Sequence, residues 1–186
     1  MVRKLGKVLL VIILGCFLFM AGKFLLIWNS VEVDNSLSHK TIFKTFNQQK
    51  QASLWHTKSK ETKTNNFRVK YDSLSPKYFD CYIYKDPLLK ITFSVGDGFS
   101  GGGYQIDIIQ NRYKVSLYSY TDIIKPFDFL NTEEAYKVLK SRLILDKDSY
   151  KKGDSLFGYA ELTIQRGYGH QKQIEEGKGY FKGIVN

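Results

Sequence analysis

LLKITFSV, residues 88–95, puts Leu89, Ile91, Phe93 and Val95 on one side of an extended chain and Lys90, Thr92 and Ser94 on the other. Successive side chains of a strand point to opposite faces, so this period of two describes a strand with one apolar and one polar face. The same texture recurs on both sides of it, in FRVKY (67–71), YFDCYIY (78–84), YQIDIIQ (104–110), YKVSLYSY (113–120), SRLILD (141–146), LFGYAELTIQ (156–165) and KGYFKGIV (178–185). All are rich in the aromatic and β-branched residues that suit a pleated surface. Clusters of Gly, Pro, Asn and Asp separate them, and QNRY (110–113) joins two of them so closely that a hairpin is expected. Residues 67–186 therefore read as an antiparallel β domain, a sandwich or small barrel.

One segment departs from this pattern. Asn131, followed by Glu134, makes a capping box, and Ala135, Val138, Leu139 and Arg142 then follow helical spacing. One short helix over 132–142 is expected, with a strand running into RLILD as the alternative.

LILDKDSYKKGDSLFGYAEL (143–162) resembles a stretch of immunoglobulin-like sandwiches, in which a strand, a Tyr-x-x-Gly-Asp turn and a second strand follow one another. Tyr150, Gly153 and Asp154 hold the turn positions. The resemblance covers 20 of the 186 residues. It implies an immunoglobulin-like fold type and no activity, since sandwiches host unrelated functions.

The N-terminus follows a different logic. Arg3, Lys4 and Lys7 precede an apolar run from Val8 to Trp28 whose only charge is Lys23. At about 1.5 Å per helical residue the run matches a bilayer core of about 30 Å. Lys23 lies near its end, where its stem can reach the headgroups, and Trp28 suits the interfacial belt. Ile13-Leu14-Gly15-Cys16 also looks like a lipobox, which would make Cys16 a lipidation site, and the apolar core fits a cleavable signal peptide. A lipidated chain starting at Cys16 would continue Phe-Leu-Phe-Met where a polar tether belongs, so the uncleaved transmembrane helix is the preferred reading. Basic residues before the span, with Glu32 and Asp34 after it, place the N-terminus in the cytoplasm and the rest outside a bacterial inner membrane.

The organisation expected is thus a basic tip and signal-anchor over 1–28, a polar juxtamembrane linker over 29–66 and the β domain over 67–186. Ile42, Phe43 and Phe46 stand out in the linker as one amphipathic turn, lying on the bilayer or docking on the domain. The net charge of +10 concentrates near the membrane: residues 1–66 hold 10 Lys/Arg against 3 Asp/Glu, and the remainder 18 against 15. That distribution suits anionic lipid and argues against nucleic acid as a partner.

Few residues announce chemistry. Cys81 has no partner in its own domain, so no disulfide framework exists, and a buried inert thiol is expected. GDGFSGGG (96–103) lacks the helix and the Lys-Ser/Thr of a phosphate loop and reads as a wide hairpin connection whose glycines supply positive φ. Asp146, Asp148 and Asp154 fail the spacing of a calcium loop and read as turn residues. His39, His56 and His170 have no metal-ligand spacing, and Glu133/Glu134 and Glu175/Glu176 read as solvated pairs. No catalytic residue, metal or cofactor is nominated. Lys114, Ser116, Tyr118 and Tyr120 share one face of their strand, suited to a glycan or a partner strand, or to the half-buried second face of a sandwich. The expectation is a membrane-anchored envelope protein whose β domain is a binding or assembly module for an envelope protein partner. The alternative is an envelope enzyme or an apolar-ligand carrier with a site assembled only in the fold.

Overall fold

The computed structural model describes residues 2–47, 49–50, 61–62, 64–71, 77–96, 99–121, 135–168 and 171–186. Helix α1, Val2–Ile27, comes first. The side chains described on it are those of residues 10, 12–20 and 22–27. Among the described residues no helix is long and apolar enough to cross a membrane.

Beyond α1 the described chain is mainly β. Two short strands follow, β1 (Asn29–Ser30) and β2 (Glu32–Val33), then 3₁₀ turns at Leu37–His39 and Thr41–Asn47. A two-stranded pair, β3 (Gln49–Lys50) with β4 (Glu61–Thr62), stands by itself. The remaining strands are β5 (Arg68–Tyr71), β6 (Lys77–Tyr78), β7 (Asp80–Lys85), β8 (Leu89–Gly96), β9 (Ser100–Ile109), β10 (Arg112–Thr121), β11 (Ala135–Leu145), β12 (Ser155–Tyr168) and β13 (Gln171–Ile184). Sheet A has the order β1-β10-β9-β8-β7 and sheet B the order β2-β11-β12-β13-β5-β6. Among the described residues all strand pairings are antiparallel except β2 with β11.

The two sheets bury a shared core. Sheet A contributes Ile91, Phe93, Tyr104, Ile106 and Tyr113, and sheet B contributes Val69, Leu143, Leu156, Ile164 and Phe181. Phe67 stacks on Phe93 at 3.9 Å between ring centroids, and Phe93 meets Phe181 edge-on at 5.3 Å, so the sheets interlock through rings. LLKITFSV is a strand as expected, with Leu89, Ile91 and Phe93 buried. QNRY is the β9–β10 hairpin, with Gln110 at φ 53° in its turn.

Several expectations change. The segment read as helix is strand β11 from Ala135 onward, which lies between β2 and β12 in sheet B; Asn131 and Glu134 lie outside the described residues. Its alternative period of two, Leu143 and Leu145 in and Arg142 out, pairs with β12 and buries apolar surface that a lone helical turn would leave wet. A bulge between Val138 and Lys140 resets the alternation, which is why the apolar positions mimic helical spacing.

Gly101, Gly102 and Gly103 belong to β9 and are not a loop; Asp97 and Gly98 lie outside the described residues. A side chain at Gly103 would drive its Cβ into the Phe93 carbonyl oxygen, so close approach of β8, not positive φ, demands glycine there. The one described glycine at positive φ is Gly153, at 90°.

The immunoglobulin-like stretch is a hairpin within sheet B. Strands β7 to β10 and β11 to β13 pair in sequence as meanders, whereas immunoglobulin sandwiches use Greek-key connections, so the likeness is local. Inside the turn, the Tyr150 hydroxyl donates to Asp146 Oδ1 at 2.7 Å and accepts the Lys147 N–H at 3.0 Å. Asp146 Oδ1 also accepts the Phe157 N–H, and Asp154 Oδ2 accepts the Lys151 N–H. These aspartates act as turn residues.

The first part of the expected linker is built into the fold. β1 pairs with β10 directly after α1, and β2 pairs with β11. Leu37, Phe43 and Phe46 are buried in a second cluster with Ile144, Phe157 and Tyr180 on the outer side of sheet B. Ile42 and Phe43 do lie in a 3₁₀ turn, and Phe46, at φ −90° and ψ 16°, sits at a kink in the same Thr41–Asn47 segment. Of the two expectations for this turn, docking on the domain is what the structure has.

Candidate functional site

The outward positions of sheet B alternate with its core. On β11 they are Arg142 and Ile144, on β12 Phe157, Tyr159 and Glu161, on β13 Lys178 and Tyr180, and on β5 Arg68. The 3₁₀ segment covers one half of this face: Phe43 packs edge-on against Phe157 at 5.1 Å and Tyr180 at 5.8 Å, and Lys182 Nζ donates to the Phe43 carbonyl at 2.9 Å. Beyond Tyr180 the cover ends and a groove of about 800 Å³ opens.

Its floor is polar and aromatic. Register places Arg142, Glu161, Lys178 and Arg68 in one row across four strands. The neighbouring row holds Ile144, Tyr159 and Tyr180, whose two rings lie 4.9 Å apart at 53°. Lys40 comes from the covering segment and sets its Nζ 5.4 Å from the centre of the Tyr180 ring. Burial, and the Glu161 charge after it, raises the Tyr159 hydroxyl above its ordinary pKa, so it remains a neutral donor and acceptor.

Three carboxylates of this face have hydrogen-bond partners, and a fourth, Glu176, stands exposed opposite Lys70, one outward position along β13 from Lys178. Glu32 accepts a two-point fork from Arg142, at 2.8 Å to Nε and 2.6 Å to Nη2, and that hydrogen bonding lowers its pKa. Glu161 is held low by Lys140 at 2.8 Å, and Asp34 by the Ser36 hydroxyl and N–H. Lys40, Arg68 and Lys178 have no ion pair among the described residues. Arg68 and Lys178 are direct cross-strand partners and both exposed. Like charges opposite each other destabilise a sheet, and an anion bridging them reverses the sign. The face therefore carries an excess of cations over carboxylates beside a tyrosine pair, with the Asp34 charge facing Lys40 and the Glu161 charge facing Lys178, an arrangement for holding anionic groups on a scaffold with stackable rings.

The residues singled out from sequence lie elsewhere. Val8, Cys16 and Lys23 are on α1, with Cys16 exposed and Lys23 Nζ 5.3 Å from the Phe19 ring centre. Trp28 follows α1, stacks on Phe24 at 5.2 Å, and its carbonyl accepts from Arg112 Nη1 at 2.9 Å. Cys81 is half-buried against the core, and burial, with the nearby Asp80 charge, pushes its pKa up. Tyr118 is half-buried and Tyr120 exposed, on sheet A. His39 is exposed; His56, His170, Glu133 and Glu134 lie outside the described residues. Among the described residues no group of three His, Cys, Asp or Glu is placed to hold a metal.

Glu175 corrects an expectation. It is 2% exposed, not solvated: its Oε2 accepts from Tyr104 at 2.7 Å and its Oε1 lies 3.3 Å from Arg166 Nε. It falls on the inward side of β13, in line with Gly177 and Gly179, so the strand's alternation places it in the core. The groove residues were not nominated by sequence. KGYFK puts Lys178, Tyr180 and Lys182 on one face, but only the register across four strands brings Arg68 and Arg142 to it.

Compared with models of protein families, with curated proteins and with solved structures, the chain matches none.

Proposed function

We propose that this chain is a single-pass membrane protein whose β domain is a binding module, and that its open groove on sheet B takes an acidic glycan of the cell envelope. The observation carrying the binding reading is the Arg68–Lys178 pair beside Tyr159 and Tyr180: two exposed cations without an ion pair among the described residues, for carboxylates, and rings on which sugar faces stack. A polymer lying along the groove meets both at once.

The anchor reading rests on the sequence of residues 8–28, since among the described residues no helix is long and apolar enough to cross a membrane. Leu10, Phe17, Met20 and Leu26 stand 67%, 68%, 71% and 88% exposed on α1, an apolar surface that the described part of the chain leaves uncovered. The basic residues before it and the acidic ones after it favour a cytoplasmic N-terminus and an extracytoplasmic domain in a bacterial inner membrane.

The binding reading is tested with the full chain in detergent, titrated with polygalacturonate and with neutral dextran as control. Binding to the acidic polymer alone, weakened at least tenfold in Arg68→Ser/Lys178→Ser and falling with salt, is expected. Equal binding by the double variant overturns it. Intact mass of protein from native membranes tests the anchor: an unmodified full-length mass is expected, and a species starting at Cys16 and heavier by lipid contradicts it.

A further inference from the structure

At the end of the sandwich where α1 enters, the chain passes from helix to sheet with no linker. Trp28 closes the helix, Asn29 already pairs with Tyr113, and the Val31 N–H donates to the Asn111 carbonyl at 2.8 Å. Arg112 ties the helix end to the β9–β10 hairpin through the Trp28 carbonyl. Whatever the tilt of α1, covalent geometry keeps this end of the domain within a few residues of Trp28.

That end contains a cleft of about 290 Å³, just below the size range of small-molecule sites, about 300–1,000 Å³. Its wall is mostly apolar: Val31, Val33, Leu88, Leu89, Ile108 and Leu145 line it, and Val33 is 47% exposed. Polar groups stand around the wall. Lys85 Nζ donates to the Tyr150 carbonyl at 2.7 Å, Lys147 lies over the Tyr150 ring at 5.8 Å, and Asp148 is the carboxylate in the lining.

We infer that this cleft takes the acyl chain of a bilayer phospholipid. The inference rests on the reading of α1 as a membrane anchor. An anchored α1 with no linker puts the cleft at headgroup depth, where the abundant apolar ligand is lipid tail and the neighbouring lysines meet phosphate. The occupied cleft seats the domain against the bilayer in one orientation.

The test uses the full chain in phosphatidylglycerol/phosphatidylcholine vesicles doped with a phosphatidylcholine carrying a diazirine on one acyl chain. After irradiation, labelled peptides are mapped by mass spectrometry. Label is expected on α1 and on peptides containing 31–33, 88–89 and 108–109. The cleft-filling variants Leu88→Trp and Val33→Trp should each lower the second set at least fivefold and leave the α1 label unchanged, with native β-sheet circular dichroism. A labelled α1 with an unlabelled cleft, or cleft label that neither variant lowers, overturns the inference and leaves the anchor standing. An unlabelled α1 overturns the anchor and the inference with it.

Discussion

The two halves of the outer face of sheet B share strands and register, yet one is a second core and the other a charged groove. Leu37, Phe43 and Phe46 cover the first and are at most 3% exposed, while Arg68 and Lys178 stand opposite each other, exposed, in the second. The difference shows that a sheet face is assigned by what crosses it. The same alternation supplied Phe157 where a cover arrives and Glu161 where none does.

The largest effect that can break this contrast is expected at Phe46. Phe46→Ala deletes a ring that is 1% exposed, and about 3–5 kcal/mol of stability should be lost in chemical denaturation of the full chain. A shift under about 0.5 kcal/mol would return residues 37–46 to a linker. Next comes Tyr150→Phe, which removes the donor to the buried Asp146; a loss of about 1–3 kcal/mol is expected.

Single changes in the open half should hardly move stability. Arg68→Ser and Lys178→Ser are each expected within about 0.5 kcal/mol of the parent, while binding to polygalacturonate weakens. Glu32→Gln sharpens the point from the other side. It releases Arg142 from its fork and should tighten polyanion binding two- to fivefold, read by the same titration.

Acid and alkali separate the outer face from the interior. Glu32 and Glu161 have pKa values lowered by Arg142 and Lys140, so their contribution is present above the ordinary 4.5 and is lost as pH falls through the lowered values. Cys81 and Tyr150 are shifted the opposite way, chiefly by burial. Their unfolded forms release protons near 9.0 and 10.0 while the folded forms keep them, so stability falls as pH rises above about 9. Denaturation midpoints across pH should show both limbs; Glu161→Gln should flatten the acid limb and Cys81→Ser the alkaline one.

Much of the fold was legible in the sequence because strand alternation is local. LLKITFSV, QNRY and the Tyr150–Asp154 turn carry their own geometry, in period, loop length and side-chain caps. Strand β11 was misread because a bulge at Leu139 shifts its period, and a bulge is fixed by the partner strand, not by the residues themselves. Glu175 was read as solvated because its charge outweighed its place in an alternation that runs Glu175, Gly177, Gly179, Phe181. The groove was the least legible part. Lys40, Arg68, Arg142 and Lys178 are spread over nearly the whole β region, and cross-strand register alone makes them neighbours.

The most direct test of the account is hydrogen–deuterium exchange of the full chain in detergent, with and without saturating polygalacturonate. Slowed exchange confined to peptides covering 66–68, 142–144, 159–161 and 178–180 is the predicted result. Protection centred on sheet A, or binding without protection of those peptides, would contradict the assignment of the open half of sheet B as the binding face.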